Sequence, residues 1–242
     1  MIPKKIHYCW FGRNPLPESA QKCIASWRKY LPDYEIKEWN EDNFDINVNL
    51  YVKQAYESRK FAFVTDYVRL YALASEGGVY MDTDVEVLKT FDPFLHHHAF
   101  SGFENNNYVP TGMMASEKNG KWVTELLDDY ADRTFIQPDG SLDTTTNTVV
   151  ITRNMVSHGL VLNNTFQDIE GLATMYPSEY FCPKDHTTGQ LLVTENSVCI
   201  HHFACSWLPP KSRFRHRLKL IAGKVFGYGV SQRLSKIIHK FD

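Results

Sequence analysis

Apolar positions recur in two rhythms along the chain. Ile6 to Phe11 is an unbroken apolar and aromatic run closed by Gly12, which predicts a buried strand. Ala20, Cys23, Ile24 and Trp27 then fall at helical spacing between Ser19 and Tyr30, and Leu31-Pro32-Asp33 breaks that helix. Tyr34 to Trp39 reads as a second strand. A strand, a helix and a strand in succession favour a parallel sheet with flanking helices.

Leu50 to Lys60 has helical character, and Phe61 to Glu76 has more, with Val64, Val68, Tyr71 and Leu73 among its apolar positions. Gly77-Gly78 is the stop signal, because glycine tolerates the left-handed backbone that closes a helix. Val79 to Leu88 alternates as a single strand would. Val79, Met81, Thr83, Val85 and Val87 share one face; Tyr80, Asp82, Asp84 and Glu86 share the other. Beyond Pro93 the pattern is less regular. Trp122 to Ala131 predicts a helix, Asp143 to Asn154 a Thr-rich strand and loop, and Glu179 to Pro183 and Val198 to Phe203 two strands. Leu218 to Lys240 reads as an amphipathic helix interrupted by Gly223, Gly227 and Gly229.

A chain of 242 residues suits one domain with a sizeable core. The expected organisation is a catalytic domain over 1–210 and a C-terminal extension over 211–242. Net charge is −2, which argues against nucleic acid as the main partner. That average hides an asymmetry. Lys211 to Asp242 carries nine basic residues and one acidic, a net +8, which leaves the rest of the chain at −10. Basic charge interleaved with Leu218, Ile221, Val225, Phe226, Leu234, Ile237 and Ile238 suits either packing on the body or lying on an anionic membrane leaflet. The cysteines, Cys9, Cys23, Cys182, Cys199 and Cys205, are odd in number and lack a Cys-x-x-Cys spacing. Reduced thiols follow, and with no signal-like N-terminus or membrane-length apolar run the expectation is cytoplasmic, with a peripheral contact at the inner membrane face.

Candidate chemistry centres on Asp82 and Asp84. Two carboxylates at i and i+2 of a strand point the same way and repel unless a cation lies between them. A hard divalent ion, Mn²⁺ or Mg²⁺, meets that need and can hold a diphosphate. Asp66 and Arg69, three residues apart in an apolar helix, form either a structural ion pair or contacts to sugar and phosphate. Of His201 and His202, neighbours on a strand, at most one faces a metal, and the sequence does not choose between them. Trp10 is either core or a stacking platform for a base. Ser206 and Trp207 are either a plain strand exit or a lid over the reacting centre. His96-His97-His98 reads as a surface turn.

Phe61-Ala62-Phe63-Val64-Thr65-Asp66-Tyr67-Val68-Arg69-Leu70, running into Gly77-Gly78-Val79-Tyr80-Met81-Asp82-Thr83-Asp84, resembles the signature of glycosyltransferase family 32. These are proteins with a sugar-binding region containing a DXD motif, related to yeast initiating mannosyltransferases and clostridial glucosylating toxin domains. Ile2 to Gly12 and His201 to Trp207 are also similar to that family. The resemblance implies a GT-A-like α/β fold and transfer with retention of anomeric configuration from a nucleotide-sugar donor, UDP-sugar favoured. The acceptor would be a glycan or lipid-linked saccharide in capsule or other surface polysaccharide synthesis. It also implies that Trp10 lies near the donor base with Phe11 in the same donor site, that Asp66 and Arg69 contact donor sugar or phosphates, and that Asp82 faces ribose, sugar and metal. Asp84 would be the direct metal ligand, and Ser206-Trp207 would touch the diphosphate. Cys205 departs from the small Gly common at that place. Two rival readings share these residues: a metal-dependent nucleotide-sugar phosphohydrolase and a non-catalytic sugar-binding protein.

Overall fold

The computed structural model describes residues 1–104, 107–186 and 188–204. Seven strands form the central sheet: β1 (Lys5–Cys9), β2 (Glu35–Trp39), β3 (Gly78–Met81), β5 (Ala99–Gly102), β6 (Met113–Ser116), β7 (Gln167–Ile169) and β8 (Ala173–Tyr176). Their order is β2-β1-β3-β6-β5-β8-β7. β1 pairs in parallel with β2 and β3, and β5 with β8, whereas β6 and β7 run against their neighbours. Five strands therefore point one way, giving the mixed, mostly parallel sheet flanked by helices that the sequence predicts. A separate two-stranded sheet joins β4 (Val85–Val87) to β9 (Cys199–His201).

Side chains alternate across the sheet and feed two cores. Cys9, Tyr80 and Met114 enter the core built with α2 (Leu50–Glu57), α3 (Phe61–Glu76), α4 (Lys121–Asp128) and α5 (Asn147–Ser157). Ile6, Tyr8, Val79, Met81, Met113 and Ala115 enter the opposite core, with α1 (Glu18–Tyr30), the β4–β9 pair and α6 (Ser178–Phe181). α3 is buried on most of its surface, through Phe63, Val64, Tyr67, Val68, Leu70, Ala72 and Leu73. Burying such side chains stabilises by ~1.5–3 kcal/mol each. That margin keeps two charged residues inside the same helix.

The helix-to-strand reversal depends on its glycine pair. Gly77 and Gly78 take φ of 69° and 119°, and a Cβ on Gly78 would lie 2.5 Å from the Lys5 carbonyl oxygen. Neither conformation nor space admits a side chain there.

Three expectations are corrected. The strand predicted from Val79 to Leu88 breaks after Met81 and resumes at Val85 in the other sheet. The Asp82 amide donates to the Gly112 carbonyl (2.8 Å) and the Val85 amide to the Asp82 carbonyl (3.0 Å), so Asp82 to Asp84 form a turn. The Thr-rich segment read as strand and loop contains α5, because Ile151 and Met155 bury one face and Thr152 Oγ1 bonds back to the Thr148 carbonyl. Burial there overrides the β-branched preference for strands. Glu179 to Pro183, read as strand, lies in and just beyond the short helix α6, which starts after Pro177 and buries Phe181.

Ser206, Trp207, Cys205 and the predicted amphipathic helix over 218–240 lie outside the described residues. His96, His97 and His98 occupy a surface turn before β5, where His97 is hydrogen-bonded to Tyr176 and Thr174. The four described cysteines are free and buried. Among the described residues no helix is long and apolar enough to cross a membrane.

Candidate active site

Asp82, Asp84 and His201 converge, each offering a ligand atom within 4.8 Å of the others. The two carboxylates leave β3 on the tight turn, and β9 delivers the histidine by pairing with β4, where His201 is opposite Val85. α1 pins β4 in place. Trp27 Nε1 donates to the Val85 carbonyl (2.7 Å), and the Val87 amide donates to Ser26 Oγ (2.9 Å).

Each carboxylate divides its oxygens between two tasks. Asp82 Oδ1 accepts from the Tyr80 hydroxyl (2.8 Å) and faces Arg69 (3.4 Å), while Oδ2 lies 4.0 Å from His201 Nε2. Asp84 Oδ2 accepts from the Ala204 amide (2.7 Å), while Oδ1 lies 3.3 Å from the same imidazole nitrogen. One oxygen of each is tied to the protein, and the other faces the centre of the cluster. Two hard oxygens and an imidazole suit a divalent cation such as Mn²⁺ or Mg²⁺, so the donor set fits the ion that the sequence suggests.

The electrostatics agree. Burial alone would raise the Asp84 carboxyl, but His201 outweighs it and holds that group well below the usual carboxylate range. Burial disfavours the His201 imidazolium, yet Asp84 raises it well above the ordinary histidine value. A proton on His201 thus takes the place a cation would occupy, and a bound metal needs the imidazole neutral.

Arg69 sits behind this cluster, buried and with a partner at each guanidinium nitrogen. Its NH1 bonds the Thr111 carbonyl (2.6 Å), NH2 pairs with Asp66 (3.1 Å), Nε reaches the Thr65 carbonyl (3.3 Å), and the guanidinium stacks 4.7 Å over the Tyr80 ring. Burial works against its charge, but Asp82, Tyr80 and Asp66 keep it cationic. Sequence reasoning allowed for direct contact with phosphate; in the structure all three guanidinium nitrogens have protein partners, and Arg69 orients Asp66 and Asp82. Burial pushes the Asp66 carboxyl up to about 6 against the pull of Arg69.

The remaining candidates separate. His202 is turned away, its Nε2 bonded to Glu86 (2.8 Å), so of the two histidines His201 joins the cluster. Phe11, which the resemblance puts in the donor site, is buried edge-on against Phe44. Trp10 is half-buried just past β1, with Nε1 donating to the Asn14 carbonyl (2.5 Å). The parallel register of β1 on β3, carried forward, brings the Cys9–Trp10 end of β1 beside Asp82.

Residues 17–101 match the family model described as "Glycosyltransferase sugar-binding region containing DXD motif". The resemblance read from the sequence holds over that stretch, which carries Asp66, Arg69, Asp82 and Asp84. The chain is 33% identical over 115 residues to inositol phosphoceramide mannosyltransferase 3 of Schizosaccharomyces pombe, covering 43% of this chain and 32% of that protein. It is 27% identical over 173 residues to Subversion of eukaryotic traffic protein A of Legionella pneumophila, covering 57% and 26%. The chain thus spans about a third or less of the length of these curated relatives. Among solved structures, the PaToxG glycosyltransferase superposes with a TM-score of 0.47 at 18% identity, covering 65% of this chain and 70% of that one.

Sequence reasoning missed several parts of the site. The alternation puts Tyr80 on the strand face of Asp82 and Asp84 but gives it no role, and Gly112, Thr111 and Ala204 carry no side-chain signal because their carbonyl and amide groups make the contacts. Cys9, buried between the sheet and Arg69, adds a thiol whose ionisation burial suppresses.

Proposed function

We propose that the protein is a glycosyltransferase that moves a sugar from a nucleotide-diphosphate sugar, UDP-sugar favoured, to a glycan or lipid-linked saccharide. Asp82, Asp84 and His201 hold a divalent cation, Mn²⁺ or Mg²⁺. The observation that carries this reading is the second oxygen that each of two anchored carboxylates turns towards one shared imidazole. A cation bound there would neutralise the charge of a departing diphosphate.

The chain's own residues prepare that step. Arg69 fixes Asp82 from behind and adds a buried positive charge next to the site. Asp66, held by Arg69 and with its backbone carbonyl bonded to Asn147 (2.9 Å), presents its carboxyl to a hydroxyl of the donor sugar. Trp10, at the end of β1, offers a partly exposed indole to the base. Ser206 and Trp207 are assigned to the diphosphate on the family resemblance. On the same ground the transfer is retaining, with the donor phosphate assisting removal of the acceptor proton. A lipid-borne acceptor is supported by the printed name of the fission-yeast relative, an inositol phosphoceramide mannosyltransferase; surface polysaccharide synthesis is assigned on the family resemblance.

Incubation with a panel of nucleotide sugars and Mn²⁺, following released UDP or GDP with and without saccharide acceptors, tests the reading. Acceptor-dependent release is expected, and Asp82→Asn should lower it by more than the ~10–100-fold typical of losing an outer-shell partner. Full-rate release of free sugar in water would instead identify a phosphohydrolase. Glycan binding without turnover, unchanged in Asp82→Asn, would identify a sugar-binding protein.

A further inference from the structure

We infer that Gly112 is the positioning residue that brings the two halves of the cation cluster together. The inference rests on the cation site proposed above and names what sets its geometry. Gly112 immediately precedes β6, on the far side of β3 from β1. Its carbonyl accepts the Asp82 amide at 2.8 Å and so fixes the start of the turn that carries both carboxylates. The preceding carbonyl, of Thr111, accepts from Arg69 at 2.6 Å. Two successive carbonyls therefore hold Asp82 and the arginine behind it.

The missing side chain of Gly112 does the rest. A Cβ built there would meet the His201 ring at 2.7 Å from Nδ1, 2.8 Å from Cε1 and 3.1 Å from Cγ. Non-bonded heavy atoms settle at roughly 3.5–4.0 Å. The ring has little room to give way. Its side chain is 14% exposed, the Phe203 ring lies 4.1 Å away centre to centre, and Asp84 stands 3.3 Å beyond Nε2. Gly112 does not adopt the left-handed backbone that would by itself demand glycine. Alanine is therefore allowed by the backbone and excluded by the imidazole. An added methyl group would swing His201 off the line to Asp82 and Asp84, leaving a divalent cation with two oxygens and no nitrogen.

The test is a Mn²⁺ titration, read by the electron paramagnetic resonance signal of free ion, on the full chain and three variants: Gly112→Ala, His201→Ala and the double variant. Gly112→Ala should weaken Mn²⁺ binding about tenfold or more, the scale on which ligand misorientation acts. In the His201→Ala background the same change should shift binding less than twofold, because the ring it displaces is gone. Wild-type binding by Gly112→Ala, or an equal loss in both backgrounds, would overturn the inference while leaving the cation site standing. Failure of the wild-type chain to bind Mn²⁺ would overturn both. If Gly112→Ala does not fold, recovery of the fold in the double variant supports the clash, and its failure there refutes it.

Discussion

Tyr80 and Asp82, two residues apart, are joined by a 2.8 Å hydrogen bond that holds one carboxylate oxygen back and leaves the other facing His201. The tyrosine is buried and lies under the Arg69 guanidinium, so its own position is set by packing.

Tyr80→Phe keeps the ring and its cation contact but removes the donor. Mn²⁺ affinity should fall by ~10-fold, in the range for loss of an outer-shell hydrogen bond. Stability should fall by only about 1 kcal/mol. A titration of Mn²⁺ beside a urea melt separates the two effects; unchanged affinity would count against a role for the hydroxyl.

The two adjacent histidines should behave differently. His202 pairs with Glu86 at the surface, with side-chain exposures of 36% and 42%, so His202→Ala should cost under ~1 kcal/mol and leave Mn²⁺ binding and donor turnover intact. His201→Ala should weaken Mn²⁺ binding about tenfold or more, leaving the two carboxylates to hold the ion, and should lose turnover. Equal losses in the two variants would show that the turn-away of His202 is wrong.

Glu76, at the end of α3, is gripped by Lys5 and Lys37. Burial alone would raise its carboxyl, but hydrogen bonds from Lys37 and Lys5 hold it at about 2, below the ordinary 4.5. A depressed folded value means the unfolded chain takes up the proton first. The stabilisation is therefore complete above pH 4.5 and lost as the pH falls towards 2. Wild type should exceed Glu76→Gln in urea midpoint at pH 6, and the gap should shrink by pH 2.5. A gap that does not change with pH would refute the account.

The basic, apolar-studded segment from Lys211 to Asp242 makes a separate prediction. Its removal should abolish sedimentation with vesicles containing anionic lipid, and the intact chain should release from them in high salt. Sedimentation that survives the truncation would place any membrane contact elsewhere.

What could be read from the sequence was what repeats. Phe61 to Glu76 was legible to the residue, because a long apolar period ends on a glycine pair that only one backbone geometry explains. The pairing of Asp66 with Arg69 and the convergence of Asp82 with Asp84 were legible as spacing. The route of convergence was not. Strand alternation continues through Val85 and Val87, and nothing local reports that the Gly112 carbonyl captures the Asp82 amide and turns the chain. The choice of His201 over His202 depends on which face of the β4–β9 pair turns towards Asp82 and Asp84, a tertiary fact. α5 was hidden for a related reason, since its threonines favour strands and only contacts with distant parts of the chain decide for helix.

The pairing of β9 with β4 carries a consequence for how the protein is made. His201 is the last of the three clustered residues to leave the ribosome, more than a hundred positions after the carboxylates it joins. Until that late strand docks, Asp82 and Asp84 stand as a repelling pair with no imidazole between them. A nascent chain would thus carry a finished scaffold before it carries a finished site, and a translation product stopped short of residue 201 would fold much of its sheet without acquiring a competent centre.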